Sequence, residues 1–270
     1  MNYFQIFKYN DNVYQIRDSI SVLSTLVIGE NKALLFDTCY GIGDLLAEVK
    51  KLTDKPLIVV NSHGHMDHSC GNYQFSKVYI TKEDYELCLK HNNKDRRMRN
   101  VKAALDKKVL PVDFDVEKYI NQPAGNFEFL NIGDIYDLGG LTLTVVALEG
   151  HTKGSIGLLI NEQRILLASD ALGPFVWLFL EESTTVSEYI KMCYRTFELP
   201  FDYFLGGHIP TLMGKEELKK FIDVAEKIDL KESEKVVFQN FEELDSYAYS
   251  INGKIYSPES TGILFDPKKL

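Results

Sequence analysis

Asn61-Ser62-His63-Gly64-His65-Met66-Asp67-His68 follows directly on the apolar run Leu57-Ile58-Val59-Val60. An unbroken, β-branched run of that length reads as a buried strand, which places the histidines at its C-terminal end. Residues two apart on an extended strand end point the same way, about 6.6 Å apart at their backbones, so His63 and His65 face one point. Asp67 and His68 come where the chain turns before Gly71 and approach that point from another side. Nitrogen and oxygen donors converging from so short a segment are the makings of a metal site.

Upstream, Tyr3 to Phe7, Val13 to Ile16, Val22 to Ile28 and Ala33 to Phe36 are short β-prone runs separated by turn residues. A helix is expected from Asp44 to Leu52, with Leu45, Leu46, Val49 and Leu52 at helical spacing. Downstream, Lys77 to Ile80 reads as a strand, and Thr81 as an N-cap with Asp84 three residues on. A charged helical insertion is expected over about 81–110. Its basic part, His91 to Arg99, reads either as a solvated face or as a wall offering Arg96, Arg97 or Arg99 to an anionic substrate group. Pro111 to Asn131 is expected to be an irregular surface loop.

The second half repeats the alternation. A hairpin runs from Ile135 to Leu148 around Gly139-Gly140, and another from Ile156 to Ala168 through Asn161-Glu162-Gln163. Then come an aromatic segment from Gly173 to Leu180, a helix from Thr185 to Phe197, a strand from Tyr203 to Leu205 and a helix from Lys215 to Lys227. In the tail, Asn252-Gly253 within Tyr247 to Tyr256 signals a tight hairpin. Strands before helices, twice over, predict an α+β chain of two sheets packed face to face with helices outside. Residues 1–230 are expected as one domain, with 231–270 a C-terminal hairpin extension packed on it.

A 270-residue chain with 45% apolar and 26% charged residues can bury a large core, as soluble enzymes do. The net charge of −9 argues against a nucleic-acid partner, because phosphate binding needs a basic surface. The start, Met1-Asn2-Tyr3-Phe4-Gln5, has neither a basic nor an apolar leader region, and no run is long enough to span a membrane. The expected location is therefore cytoplasmic. Cys39, Cys70, Cys88 and Cys193 form no CxxC pair and read as free thiols. Cys70 is flagged because it follows His68 by two residues.

Three further residues with metal-binding side chains, His151, Asp170 and His208, each come immediately after a predicted strand. Ends of neighbouring strands lie along one sheet edge, where loops build sites. Of the six histidines, only His91 falls inside a predicted helix.

Taken together, His63-Gly64-His65-Met66-Asp67-His68, Gly150-His151-Thr152-Lys153-Gly154-Ser155, Ser169-Asp170 and Gly207-His208 resemble the metallo-β-lactamase superfamily in order and spacing. The resemblance runs from about Val13 to His208. It implies a four-layer αββα sandwich with metals at one edge between the sheets. It also implies that His63, His65 and His151 bind one metal, that Asp67, His68 and His208 bind a second, and that Asp170 bridges both. Asp37 matches a recurrent aspartate that steadies the histidine loop. Ser69-Cys70-Gly71 departs from the glycine pair usual after the first motif. His65 stands where flavodiiron oxygen reductases usually carry Glu.

Five imidazoles and two carboxylates without a thiolate suit two divalent ions, zinc first, with iron or manganese also fitting. Two such ions sharing a water would bring its pKa toward neutrality and supply hydroxide, with Asp67 orienting it and shuttling its proton. The expected function is metal-dependent hydrolysis of a small ester, thioester or lactone. The alternatives are a mononuclear non-haem iron persulfide dioxygenase and a phosphodiesterase of the same superfamily. Phe175, Trp177 and Phe179 alternate, and would share a face as an apolar pocket wall, a homodimer contact or plain core. Tyr189 and Tyr194 on the next helix are possible oxyanion donors. The expected partner is a small-molecule substrate.

Overall fold

The structure is a computed structural model that describes residues 3–238 and 243–270. Residues 1–2, part of the stretch read for a leader, and residues 239–242 of the tail extension lie outside the described residues. Strands β1 (Phe4–Lys8), β2 (Val13–Asp18), β3 (Leu23–Ile28) and β4 (Ala33–Phe36) form an antiparallel meander. Helix α1 (Leu45–Leu52) then crosses to β5 (Leu57–Val60), which joins β4 in parallel with Leu34 opposite Ile58. After the short helix α2 (Met66–Ser69), β6 (Val78–Ile80) extends the same sheet. Helices α3 (Lys82–His91), α4 (Lys94–Asp106) and α5 (Val116–Ile120) lead to β7 (Phe127–Phe129), which closes a seven-stranded sheet in sequential order.

The second sheet begins with the antiparallel strands β8 (Ile135–Asp137), β9 (Thr142–Ala147), β10 (Ile156–Ile160) and β11 (Ile165–Ser169). The chain leaves it through β12 (Phe175–Leu178) and helix α6 (Val186–Phe197), where Thr185 and Glu188 form a reciprocal capping box. It returns as β13 (Tyr203–Gly206), parallel to β11, with β14 (Met213–Gly214) at the edge. Helix α7 (Leu218–Glu226) precedes β15 (Glu234–Val236), β16 (Ser246–Ile251) and β17 (Thr261–Phe265).

Side-chain alternation explains the layers. Leu34 and Phe36 of β4 meet Leu158 and Ile160 of β10 in the core between the sheets, whereas Ala33 and Leu35 turn outward onto Leu45 and Val49 of α1. On the other sheet, Leu159 and Leu166 face Met192 of α6 and Phe221 of α7. Each fully buried Leu or Ile contributes about 1.5–3 kcal/mol, so these seams hold the four αββα layers together. No helix among the described residues is long and apolar enough to cross a membrane.

The insertion is helical as expected and is split in two, because Asn93 caps α4 by accepting from Arg96 N at 2.9 Å. Two local expectations are corrected. Pro111 to Asn131 contains α5 and the edge strand β7 rather than loop alone. The tail is not a tight Asn-Gly hairpin: Asn252 and Gly253 begin the connection from β16 to β17, whose Ile251 pairs with Thr261. Pro258 bars a strand just after the turn signal, while Gly262-Ile263-Leu264-Phe265 is an apolar run that buries completely. β17 then pairs in parallel with β12, so the tail and the aromatic segment form a third, four-stranded sheet.

Candidate metal centre

All seven donor residues converge at the C-terminal ends of β5, β9, β11 and β13. Nδ1 of His65 lies 3.0 Å from Nε2 of His63 and 2.9 Å from Nε2 of His151. Beside this trio, Nε2 of His68 is 3.4 Å from Asp67 Oδ2 and 3.3 Å from Asp170 Oδ1. Nε2 of His208 lies 3.6 Å from Asp67 Oδ2 and 3.1 Å from Asp170 Oδ2. Asp170 Oδ2 is also 3.8 Å from His151 Nε2, so that carboxylate stands between the two sets.

The opposite nitrogen of each ring is engaged outward, which leaves the inward one with a lone pair. His68 Nδ1 donates to Asp37 Oδ2 at 2.9 Å, His151 Nδ1 to the Trp177 carbonyl at 2.9 Å, and His65 Nε2 to Glu182 Oε1 at 2.7 Å. Ser62 Oγ gives its one proton to Asp37 Oδ2, so at 2.8 Å it accepts from His63 Nδ1. Three imidazole lone pairs facing one another are mutually repulsive unless a cation sits among them. His68 Nε2 and Asp170 Oδ1 are likewise buried without a hydrogen-bond partner. Orphaned acceptors in a buried cluster fit a bound metal, with His63, His65 and His151 able to hold one ion and Asp67, His68, Asp170 and His208 another.

Burial, and then repulsion from neighbouring imidazoles, holds His63 well below the usual histidine range, and burial with His65 brings His151 down to about 4. Both are neutral donors at pH 7. Burial also opposes charge on His68 and His208, yet the carboxylates of Asp170 and Asp67 outweigh it, raising His68 and bringing His208 up to about 9. Burial would raise Asp67 and Asp170, but the same histidines hold both below the usual carboxylate range.

The loops carrying these residues are pinned by buried polar groups. Asp37 accepts from Ser62 N, Ser62 Oγ, Ser169 Oγ and His68 Nδ1, joining the strand ends of both sheets. Asp84 of α3 accepts from Gly64 N, Gly154 N and Thr152 Oγ1, linking the two histidine loops. Thr81 precedes α3 as expected but makes no side-chain cap; its hydroxyl donates to the Gly154 carbonyl. At Gly207 a Cβ would stand 2.3 Å from Asp170 Oδ1, so only glycine lets the chain pass this close.

The centre forms one end of a cavity of about 540 Å³, ordinary for a small-molecule site. Of the three arginines, Arg96 lines this cavity, while Arg99 is exposed. Arg97 is fully buried, donating to the carbonyls of Cys70, Asn92 and Pro123 and to Asn92 Oδ1. Cys70 does not reach the cavity; it is buried against the His91 carbonyl and Asn100, and burial pushes its thiol up to about 11. Phe175 and Trp177 line the cavity, but Phe179 lies past the end of β12 and packs in the core under the third sheet. Tyr189 is buried against Gly150, and Tyr194 is exposed and bonded to Glu226, so neither donates into the cavity.

Two cavity residues escape a reading of the sequence. Glu182 holds His65, and burial notwithstanding, that hydrogen bond brings its carboxyl down to about 2. His91 stacks on His65 with ring centroids 5.0 Å apart. Glu182 carries no motif, and His91 falls inside a predicted helix rather than at a strand end.

The description of the metallo-beta-lactamase superfamily matches residues 18–238. Acyl-coenzyme A thioesterase MBLAC2 of Homo sapiens is 30% identical over 174 residues, covering 61% of this chain and 60% of that protein. The Gallus gallus protein of the same name is 28% identical over 209 residues, covering 72% and 74%. The chain thus spans about 60% of the length of the human relative. Among solved structures, a metallo-beta-lactamase from Pontibacter korlensis superposes with a TM-score of 0.58 at 15% identity, covering 83% of this chain and all of that one. An archaeal metallo-beta-lactamase superfamily protein from Sulfolobus tokodaii gives 0.52 at 16% identity, over 83% and 87%. At those identities the likeness is one of fold.

Proposed function

The chain belongs to the metallo-β-lactamase superfamily, and from that premise we propose that it is a metal-dependent hydrolase of acyl thioesters. The observation that carries this reading is the cavity. Its polar end is formed by His65, Asp67, His151, Asp170 and His208 of the centre, and its other walls include Leu172, Phe175, Trp177, Ile209 and Met213, an apolar lining suited to an acyl group. The relatives named as acyl-coenzyme A thioesterases support the same choice.

Two divalent ions, zinc first, held by His63, His65 and His151 and by Asp67, His68, Asp170 and His208, would supply Lewis acidity and a water acidified toward neutrality. The chain's own groups do the rest. Asp67 turns Oδ2 toward His68 and His208, which leaves Oδ1 to orient the attacking water and take its proton. Glu182 and Asp37 fix the imidazoles through their outer nitrogens. Arg96, on the cavity wall, is the cation available to an anionic part of the substrate. A thiol has a pKa near 8.5, so a thiolate departs without help from a strong general acid, which suits a site whose histidines are engaged as donors.

The test is thiol release from acyl thioesters by metal-loaded protein, run beside lactones and phosphodiesters. Thioesters are expected to be the preferred class, with His65→Ala abolishing turnover. Faster turnover of phosphodiesters, or full activity in His65→Ala, would contradict the reading.

A further inference from the structure

β12 alternates along the cavity: Phe175 and Trp177 face it, whereas Val176 and Leu178 are buried in the core behind. The Trp177 carbonyl accepts from His151 Nδ1 at 2.9 Å, so this strand borders the donor cluster. Across from it stands Tyr256, from the connection between β16 and β17. Its ring lies 4.7 Å from that of Phe175, and its hydroxyl accepts from Trp177 Nε1 at 2.9 Å. Tyr256 has φ of 64°, a backbone conformation that is costly for a bulky residue and that clusters where function demands it. Leu172, Ile209 and Met213 complete the apolar walls. The charged cavity residues gather at the other end, where Glu182 bonds His65 and Arg96 stands near Glu182.

We propose that this arm, between Leu172, Phe175, Trp177, Ile209, Met213 and Tyr256, is the subsite for an unbranched acyl chain, and that Tyr256 limits the chain length it accepts. The inference rests on the thioesterase reading for the chemistry at the centre, but its binding can be measured without turnover. The tail sheet thereby contributes specificity to a centre whose seven donor residues all follow strands of the two main sheets.

Trp177 is the sole tryptophan of the chain, so its emission reports occupancy of the arm directly. Metal-loaded protein is titrated with non-hydrolysable alkyl thioethers of one thiol head group, from ethyl to hexadecyl. Affinity is expected to rise about fourfold per methylene until the arm is full, and then to level off. In Tyr256→Ala, and to a smaller extent in Tyr256→Leu, the levelling point should move to longer chains. Each slope is read within one protein, so a loss of folded fraction does not disturb it, and either variant alone decides the matter. The same levelling point in wild type and variant, or affinity independent of chain length, overturns the proposal. Chain-dependent binding without any thioester hydrolysis would sink the thioesterase reading and leave the subsite standing. Hydrolysis indifferent to chain length would do the reverse.

Discussion

Asp37 Oδ2 accepts the Nδ1 proton of His68 across 2.9 Å, with both side chains buried. The same oxygen also accepts from Ser62 and Ser169, so one carboxylate sets the orientation of a donor ring and the spacing of two strand ends. Asp37 has φ of 69°, which asparagine also tolerates, so Asp37→Asn changes the side chain without straining the backbone. The amide would present N–H to groups that are themselves donors. Metal affinity is expected to fall about 10–100-fold in competition with a chelator of known affinity. Wild-type affinity would show that the carboxylate does not hold the ring.

Gly207→Ala tests the second donor set specifically. The added Cβ would lie 2.3 Å from Asp170 Oδ1 and 2.9 Å from His68 Cε1, so one of these must move. The far-ultraviolet circular dichroism should stay native, while bound metal per chain falls by about one equivalent in a titration. Two equivalents held at wild-type affinity would contradict the close approach of Gly207 to Asp170.

Arg97 predicts a stability effect with little bearing on substrate. Its guanidinium lies 5.3 Å from the Tyr73 ring and 5.0 Å from that of Tyr119 while satisfying backbone carbonyls on three segments. Arg97→Ala leaves those acceptors buried and unpaired, at a cost on the order of 3 kcal/mol in denaturant unfolding. Arg97→Lys should recover only part of this, because an ammonium cannot reproduce the planar fork. A variant as stable as wild type would return the residue to the solvated surface.

All four cysteines are buried and free. Burial pushes the thiols of Cys88 and Cys193 up to about 12, far from the pH at which a thiolate reacts. A thiol reagent at pH 8 is expected to label none of them in the native protein and all four after denaturation. Rapid labelling of any one cysteine in the native state would contradict this burial.

What could be read from the sequence was what local spacing controls. β-branched runs ending in His63, His151, Asp170 and His208 imply strand ends, and strand ends of packed sheets share an edge. What could not be read depends on contacts distant in sequence or on orientation. Glu182 meets His65 across 117 residues with no motif to announce it. Arg97 looks like one more charge on a basic helix, and arginines are mostly exposed; only the unpaired carbonyls of the folded loops call it inward. The Asn252-Gly253 turn signal lost to the apolar run 262–265, which gains more by burying against β12 than a short hairpin would by closing locally.

We propose that two divalent ions held by these seven residues support hydrolysis of an acyl thioester. The most direct test is to strip the protein of metal and add zinc back while following thiol release. No activity is expected in the stripped protein, followed by a rise that saturates near two equivalents per chain. Full activity without metal, or saturation at a single equivalent, would contradict it.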